Sequence, residues 1–144
     1  MTTSVQSLAI SATAIFAGAA IYVSFVEHPA RLSCDPTIAL AQWRPSYRRG
    51  TLMQAPLAII GAFLGLASWW VGGGQTWLVA GLLIGSVVPF TVIVAFPTNR
   101  RLEDATLDGA SDAARQLLIT WGRLHAVRTA LSSAALLIMT FAGG

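Results

Sequence analysis

Charge is confined to two short segments of this chain. Every Asp, Glu and Arg, and both histidines, lie either between Glu27 and Arg49 or between Arg100 and Arg128. Between and around them run four apolar stretches, at 5–26, 51–71, 76–96 and 116–142, of which only the last is interrupted, by Arg123, His125 and Arg128. A helix that crosses a bilayer needs about 20 mostly apolar residues. Inside lipid there is no water to satisfy an irregular backbone, so such stretches cross as helices. A soluble domain of this length has no use for four of them. With 55% hydrophobic and only 10% charged residues, the expected fold is all-α. It is an integral membrane four-helix bundle, antiparallel and up-down, forming a single domain over 1–144. The first stretch has no Lys or Arg before Arg31 and is too long for a signal-peptide core, so it reads as a retained span.

Four crossings bring both polar segments to one membrane face. They carry Arg31, Arg44, Arg48 and Arg49 in the first and Arg100, Arg101 and Arg115 in the second, whereas the Gly72–Gly74 turn and both termini carry no basic residue. Because basic residues stay on the cytoplasmic side, the charged loops are expected to be cytoplasmic, in a cell (inner) membrane, with both termini outside. The net charge of +3 then belongs to juxtamembrane arginines, and gives no reason to expect a nucleic-acid partner. Cys34, the lone cysteine, has no activating neighbour and reads as incidental. Trp69, Trp70 and Trp77 bracket the outer turn, and Trp43, Tyr47 and Trp121 mark the inner side, as aromatic belts do.

Helix packing also has signals. Gly61-x-x-x-Gly65 and Gly81-x-x-x-Gly85 let backbones approach closely, within the bundle or between copies in a homo-oligomer. Pro56 and Pro89 lie inside spans and are expected to kink them. His28 precedes Pro29, which favours an extended backbone at the helix exit. The halves of the chain are faintly alike: each reads span, Pro followed by Arg and Leu, loop, and then Trp with a polar ring four residues on. In a repeat about an axis along the membrane normal, Tyr47 and His125 become equivalent and face a shared cavity.

The most informative local pattern is Trp121, His125, Arg128 and Ser132. Steps of four, three and four keep them on one helix face. Indole, imidazole, guanidinium and hydroxyl descending into a membrane helix are costly unless they face protein or water. The alternative is that Arg128 snorkels to the headgroups and His125 is merely interfacial. Ser111 and Asp112 read as the N-cap and first turn of this helix. Glu27 and Arg31, four apart, can pair on a helix. Glu27, His28 and His125 form an alternative ligand set for haem or a transition metal, although no HxxxH, HExxH or CxxC pattern supports it.

Three elements together resemble anthrone oxygenases, a family of small four-helix membrane proteins. They are His28-Pro29-Ala30-Arg31-Leu32, Pro97-Thr98-Asn99-Arg100-Arg101-Leu102 and Trp121-Gly122-Arg123-Leu124-His125-Ala126-Val127-Arg128-Thr129. The resemblance extends over essentially the whole chain. It implies oxidation of an anthrone-like phenol by molecular oxygen as co-substrate, without metal, flavin or nicotinamide. On that reading His125 is the catalytic base, with His28 as the alternative. Arg128 and Arg48 hold the oxyanion, Asn99 is a neutral donor, and Trp121 and Tyr47 are aromatic walls. Arg31 joins the substrate-binding residues. The implied partners are the lipid bilayer and a small lipophilic aromatic molecule.

Two other readings compete with the oxygenase: a haem- or metal-binding protein, and a small transporter or accessory subunit. Tyr22 is the one ionisable side chain between Val5 and Val26, which counts against proton-coupled transport. A Soret band or bound metal in the purified protein would select the second reading; ion binding without oxygen consumption would select the third.

Overall fold

The computed structural model describes residues 3–142, so the single-domain reading of 1–144 runs past the described residues at both ends. Four helices account for nearly all of them: α1 Ser4–Leu32, α2 Pro36–Gly73, α3 Gln75–Glu103 and α4 Asp112–Ala142. Each is long and apolar enough to cross a membrane. Each packs on its neighbours in sequence, and α4 closes the ring against α1. The protein is an all-helical membrane four-helix bundle.

The helices begin where local chemistry dictates. Thr3 Oγ1 accepts from the Gln6 N–H at 3.3 Å, and Gln6 Oε1 accepts from the Thr3 N–H at 2.8 Å, a reciprocal cap on α1. Asp35 caps α2 through the Thr37 N–H at 2.9 Å, followed by Pro36 in the first turn. Ser111 caps α4 through the Ala114 N–H at 3.1 Å, as its sequence position predicts. The turn between α2 and α3 depends on Gly72 and Gly74, with φ of 93° and 89°, where a Cβ would be strained.

At their polar ends the helices outrun the apolar stretches. The expected exit at His28 does not occur: His28 is helical, with φ −70° and ψ −43°. The cause is a widened, π-type turn at Val23–Glu27 immediately before Pro29. Proline clashes with the carbonyl four residues back and gives it no donor. Loosening the preceding turn absorbs both defects without ending the helix. The same device recurs at Thr91–Ala95 before Pro97. Further along, Trp43 makes an edge-on contact with Trp121, ring centroids 5.7 Å apart. Helix α2 also runs unbroken through Pro45 and Pro56.

The glycine expectation is met within the bundle, whereas the aromatic belts need correction. A Cβ on Gly65 would lie 3.0 Å from the Gly81 Cα, one on Gly85 3.3 Å from the Ala62 Cβ, and one on Gly61 2.7 Å from the Thr13 Oγ1. The glycine faces are therefore consumed inside the bundle and are not free for a second copy. Nor do the tryptophans form simple belts. Trp70 is exposed, but Trp77 and Trp43 are fully buried and Trp121 nearly so. Small residues around them leave room for an indole between helices: Ala9, Ala80 and Ala135 accompany Trp77, and Ala39 and Ala114 accompany Trp43 and Trp121.

These tryptophans anchor two cores. One includes Phe16, Trp77, Ile84 and Met139; the other includes Leu40, Trp43, Leu102, Leu118 and Trp121. The chain between the two cores, 19–31 of α1, 43–54 of α2 and 121–128 of α4, lines a cavity with aromatic walls. Gly81→Ala is expected to destabilise the bundle by about 1–3 kcal/mol through overpacking against α2. Gly18→Ala, with open space around the new methyl, should leave stability unchanged or slightly raised. Thermal unfolding of the two variants in one detergent checks this pair.

Candidate active site at the polar end of the bundle

The cavity measures about 360 Å³, enough for a small planar ligand. Its aromatic wall is a continuous stack. Tyr47 lies flat on Trp43 at 4.7 Å, Trp43 meets the edge of Trp121, and the Trp121 ring lies 5.0 Å from His125 and 4.9 Å from His28. Trp121, His125 and Arg128 all line the cavity, as one helix face requires. Ser132 continues that face but is buried in packing, donating to the Thr129 carbonyl at 3.2 Å.

Arg128 reaches inward instead of snorkelling. Its guanidinium stands 5.8 Å over the Phe16 ring, and Nη2 donates to Gln54 Oε1 at 3.0 Å. Nε is sealed without an acceptor, and Nη1 makes no hydrogen bond among the described residues. No carboxylate lies within ion-pairing distance of Arg128 among them either. A positive charge facing an apolar cavity with a neutral amide as its partner favours an anionic guest.

Arg31 is in the opposite condition. Nη2 pairs with Glu27 Oε1 at 2.5 Å, Nη1 donates to His28 Nδ1 at 2.9 Å, and Nε donates to Gln42. Glu27 also accepts from the Ser46 hydroxyl at 2.5 Å. With its charge matched and its donors engaged, Arg31 builds the cavity wall and stands 5.7 Å over Trp121. This network also settles His28. Because Nδ1 accepts from Arg31, Nε2 carries the proton and donates to the Leu118 carbonyl at 2.9 Å. Both ring nitrogens are occupied, and His28 does not line the cavity. His125 differs: Nδ1 lies 3.1 Å from the Ser24 Oγ, and Nε2 makes no hydrogen bond among the described residues.

Two candidates fall elsewhere. Arg48 projects outward and pairs with Glu103 at 3.0 Å, since its helix position turns it away from the cavity. Asn99 is buried on α3 with Oδ1 unpartnered, outside the lining. As for the metal set, no group of three or more His, Cys, Asp or Glu side chains able to hold an ion occurs among the described residues. Glu27 and His28 already serve Arg31. Sequence reasoning missed Gln54, the partner of Arg128, because a glutamine in an apolar stretch carries no distinctive pattern. It also missed the role of Gly122. A Cβ there would lie 2.6 Å from His28 Cδ2 and Nε2, so only glycine lets α1 bring its imidazole to the α4 backbone.

The fold and cavity define a class: a membrane four-helix bundle with an aromatic pocket that presents an imidazole and an uncompensated guanidinium. The sequence profile of the family described as "Anthrone oxygenase" matches residues 43–138, a span that includes Trp43, Tyr47, Trp121, His125 and Arg128. The chain belongs to the anthrone oxygenase family. An anthrone oxygenase of Claviceps purpurea (strain 20.1) is 29% identical, covering 98% of this chain and 88% of the relative. Anthrone oxygenase AgnL2 of Paecilomyces divaricatus is 30% identical over 89% of this chain and 88% of the relative. Anthrone oxygenase dmxR16 of Cryptosporiopsis sp. (strain 8999) is 29% identical, over 81% and 72%. No solved structure matches the chain significantly. These relationships identify an oxygenase-like membrane enzyme.

Gly122→Ala is expected to push His28 away from Leu118 and lower stability by about 1–3 kcal/mol. The check is the unfolding midpoint in detergent. An unchanged midpoint would mean that the close approach contributes nothing.

Proposed function

We propose that this cavity oxidises an anthrone- or quinol-like phenol with molecular oxygen, using no resident cofactor. The observation that carries the reading is the pairing, on one aromatic-walled cavity, of a His125 ring nitrogen that makes no hydrogen bond among the described residues and a guanidinium of Arg128 that lacks a counter-charge among them. An anthrone asks for both. Its methylene between two rings is acidic because the carbanion is delocalised onto oxygen as a phenolate.

His125 removes that proton as general base, a role suited to imidazole. Arg128 holds the developing oxyanion, an interaction strengthened where water is excluded. Tyr47, Trp43 and Trp121 hold the flat ring system. The electron-rich anion passes one electron to dioxygen, and the resulting radical and superoxide combine at the methylene carbon. Loss of the remaining hydrogen with hydroxide from the peroxide leaves the ketone. One dioxygen is consumed, its second oxygen atom leaves as water, and no external reductant is needed. The protein's part is deprotonation, charge stabilisation and dryness. Both oxygen and a flat apolar phenol partition into lipid, so a membrane cavity is supplied from the bilayer. We also place the polar end on the cytoplasmic side of the cell membrane, from the distribution of arginines.

His125→Ala is expected to lower kcat for oxygen uptake with an anthrone by about 10²–10⁴-fold. Retained turnover would remove His125 from its role. Arg128→Leu should impair both binding and turnover. Arg128→Lys should recover part of the loss, because the charge returns without the planar fork.

A further inference from the structure

Behind His125, on the side away from the main cavity, two hydroxyls link α1 to α4. His125 Nδ1 lies 3.1 Å from the Ser24 Oγ, and the Ser24 Oγ lies 2.8 Å from the Thr129 Oγ1. The Thr129 hydroxyl in turn meets two backbone carbonyls, of Ala20 at 3.1 Å and of His125 at 3.2 Å. Ser24 sits in the widened turn of α1 that precedes Pro29. The same two hydroxyls line a largely apolar groove, walled by Ile21, Phe25, Ala126 and Ala130, with Ser133 as the remaining polar residue of its lining. In a groove of that composition at membrane depth there is little water to take a stray proton or lone pair, so the hydrogens must be shared within the protein.

The proton count then has one good solution. Carbonyls only accept. With the single Thr129 hydroxyl hydrogen shared between the Ala20 and His125 carbonyls, its oxygen is left to accept from Ser24. Ser24 has then spent its hydrogen and must accept from His125, so the imidazole proton is on Nδ1. The reverse direction, Thr129 to Ser24 to His125, would leave Thr129 lone pairs facing the Ala20 carbonyl oxygen at 3.1 Å and would make fewer hydrogen bonds. We propose that Ser24 and Thr129 are positioning residues that lock His125 as the Nδ1–H tautomer, leaving the Nε2 lone pair as the basic atom. Their influence on catalysis rests on the reading of His125 as the base. The tautomer itself is measurable without turnover.

The relay therefore makes the two imidazoles opposite tautomers. His28 carries its proton on Nε2 and gives Nδ1 to Arg31; His125 carries its proton on Nδ1 and keeps Nε2 open.

The test uses the whole chain, with a histidine-free affinity tag and ¹⁵N-labelled histidine, in lipid nanodiscs. Couplings of the ring nitrogens to the ring carbon-bound protons distinguish the tautomers, and signals lost in His125→Gln assign the residue. The expected wild-type result is a protonated Nδ1 and an unprotonated Nε2 at His125. In Ser24→Ala the Nε2–H form should become dominant or the two should mix, and Ser24→Thr should restore the wild-type pattern. Thr129→Val, which keeps the volume, should behave like Ser24→Ala. If one molecule in about ten then holds the competent tautomer, kcat falls about tenfold with KM little changed. A wild-type Nε2–H form, or a tautomer indifferent to both Ser24→Ala and Thr129→Val, would overturn the proposal. A correct tautomer switch in a protein whose His125→Ala variant still oxidises substrate would leave the relay standing and remove the catalytic reading.

Discussion

A guanidinium without a carboxylate, held inside an apolar bundle, is the constraint around which this structure is arranged. Burying a charge in a medium of low dielectric is costly unless other groups stabilise it. Arg128 has a glutamine amide and the face of Phe16, and no acid among the described residues. Arg31, on the other side of the cavity, has the full complement: a carboxylate, an imidazole nitrogen, a glutamine and a serine. Neutralising Arg31 and leaving Arg128 open puts an unmatched positive charge on the cavity wall, where Arg49 also stands. In the proposed function, an anion delocalised over a flat ring system is the guest that answers that charge and fits the aromatic walls.

The backbone is adapted to the same end. Proline would ordinarily close a helix, and here it opens one. The widened turn before Pro29 carries α1 on through His28 and Arg31, so that both reach α4 and α2. The matching turn before Pro97 does the corresponding job for α3. Trp43 meets Trp121, and Tyr47 and His125 line the same cavity, as the likeness of the two sequence halves leads one to expect. The cavity is asymmetric in its chemistry, with a phenol ring from α2 and an imidazole from α4.

Span count, antiparallel order, the Ser111 cap and the single polar end were legible in the sequence, because they follow from charge segregation and helix period alone. So was the inward stripe of Trp121, His125 and Arg128, since three polar groups on one membrane-helix face need a common destination. Other features were not legible. Whether Arg48 or Arg49 turns toward the cavity depends on helix phase, and Arg49 is the one that does. Asn99 matched a family element but packs away from the cavity. The engagement of His28 depends on Gly122 and on the Leu118 carbonyl, about 90 residues away along the chain. Gln54, Ser24 and Thr129 are ordinary in composition, and acquire meaning only when two helices bring them to Arg128 and His125.

The central claim, that the cavity binds its aromatic guest as an anion against Arg128, can be tested without turnover. A hydroxyanthraquinone already carries the ketone and is not oxidised further; its phenolate absorbs at longer wavelength than its phenol. Titrated into the protein in nanodiscs, at a pH where the free compound is a neutral phenol, it is predicted to show the phenolate spectrum on binding, and to lose that spectrum in Arg128→Leu. A guest that binds as the neutral phenol, or one whose spectrum is the same with and without the Arg128 guanidinium, would contradict the account.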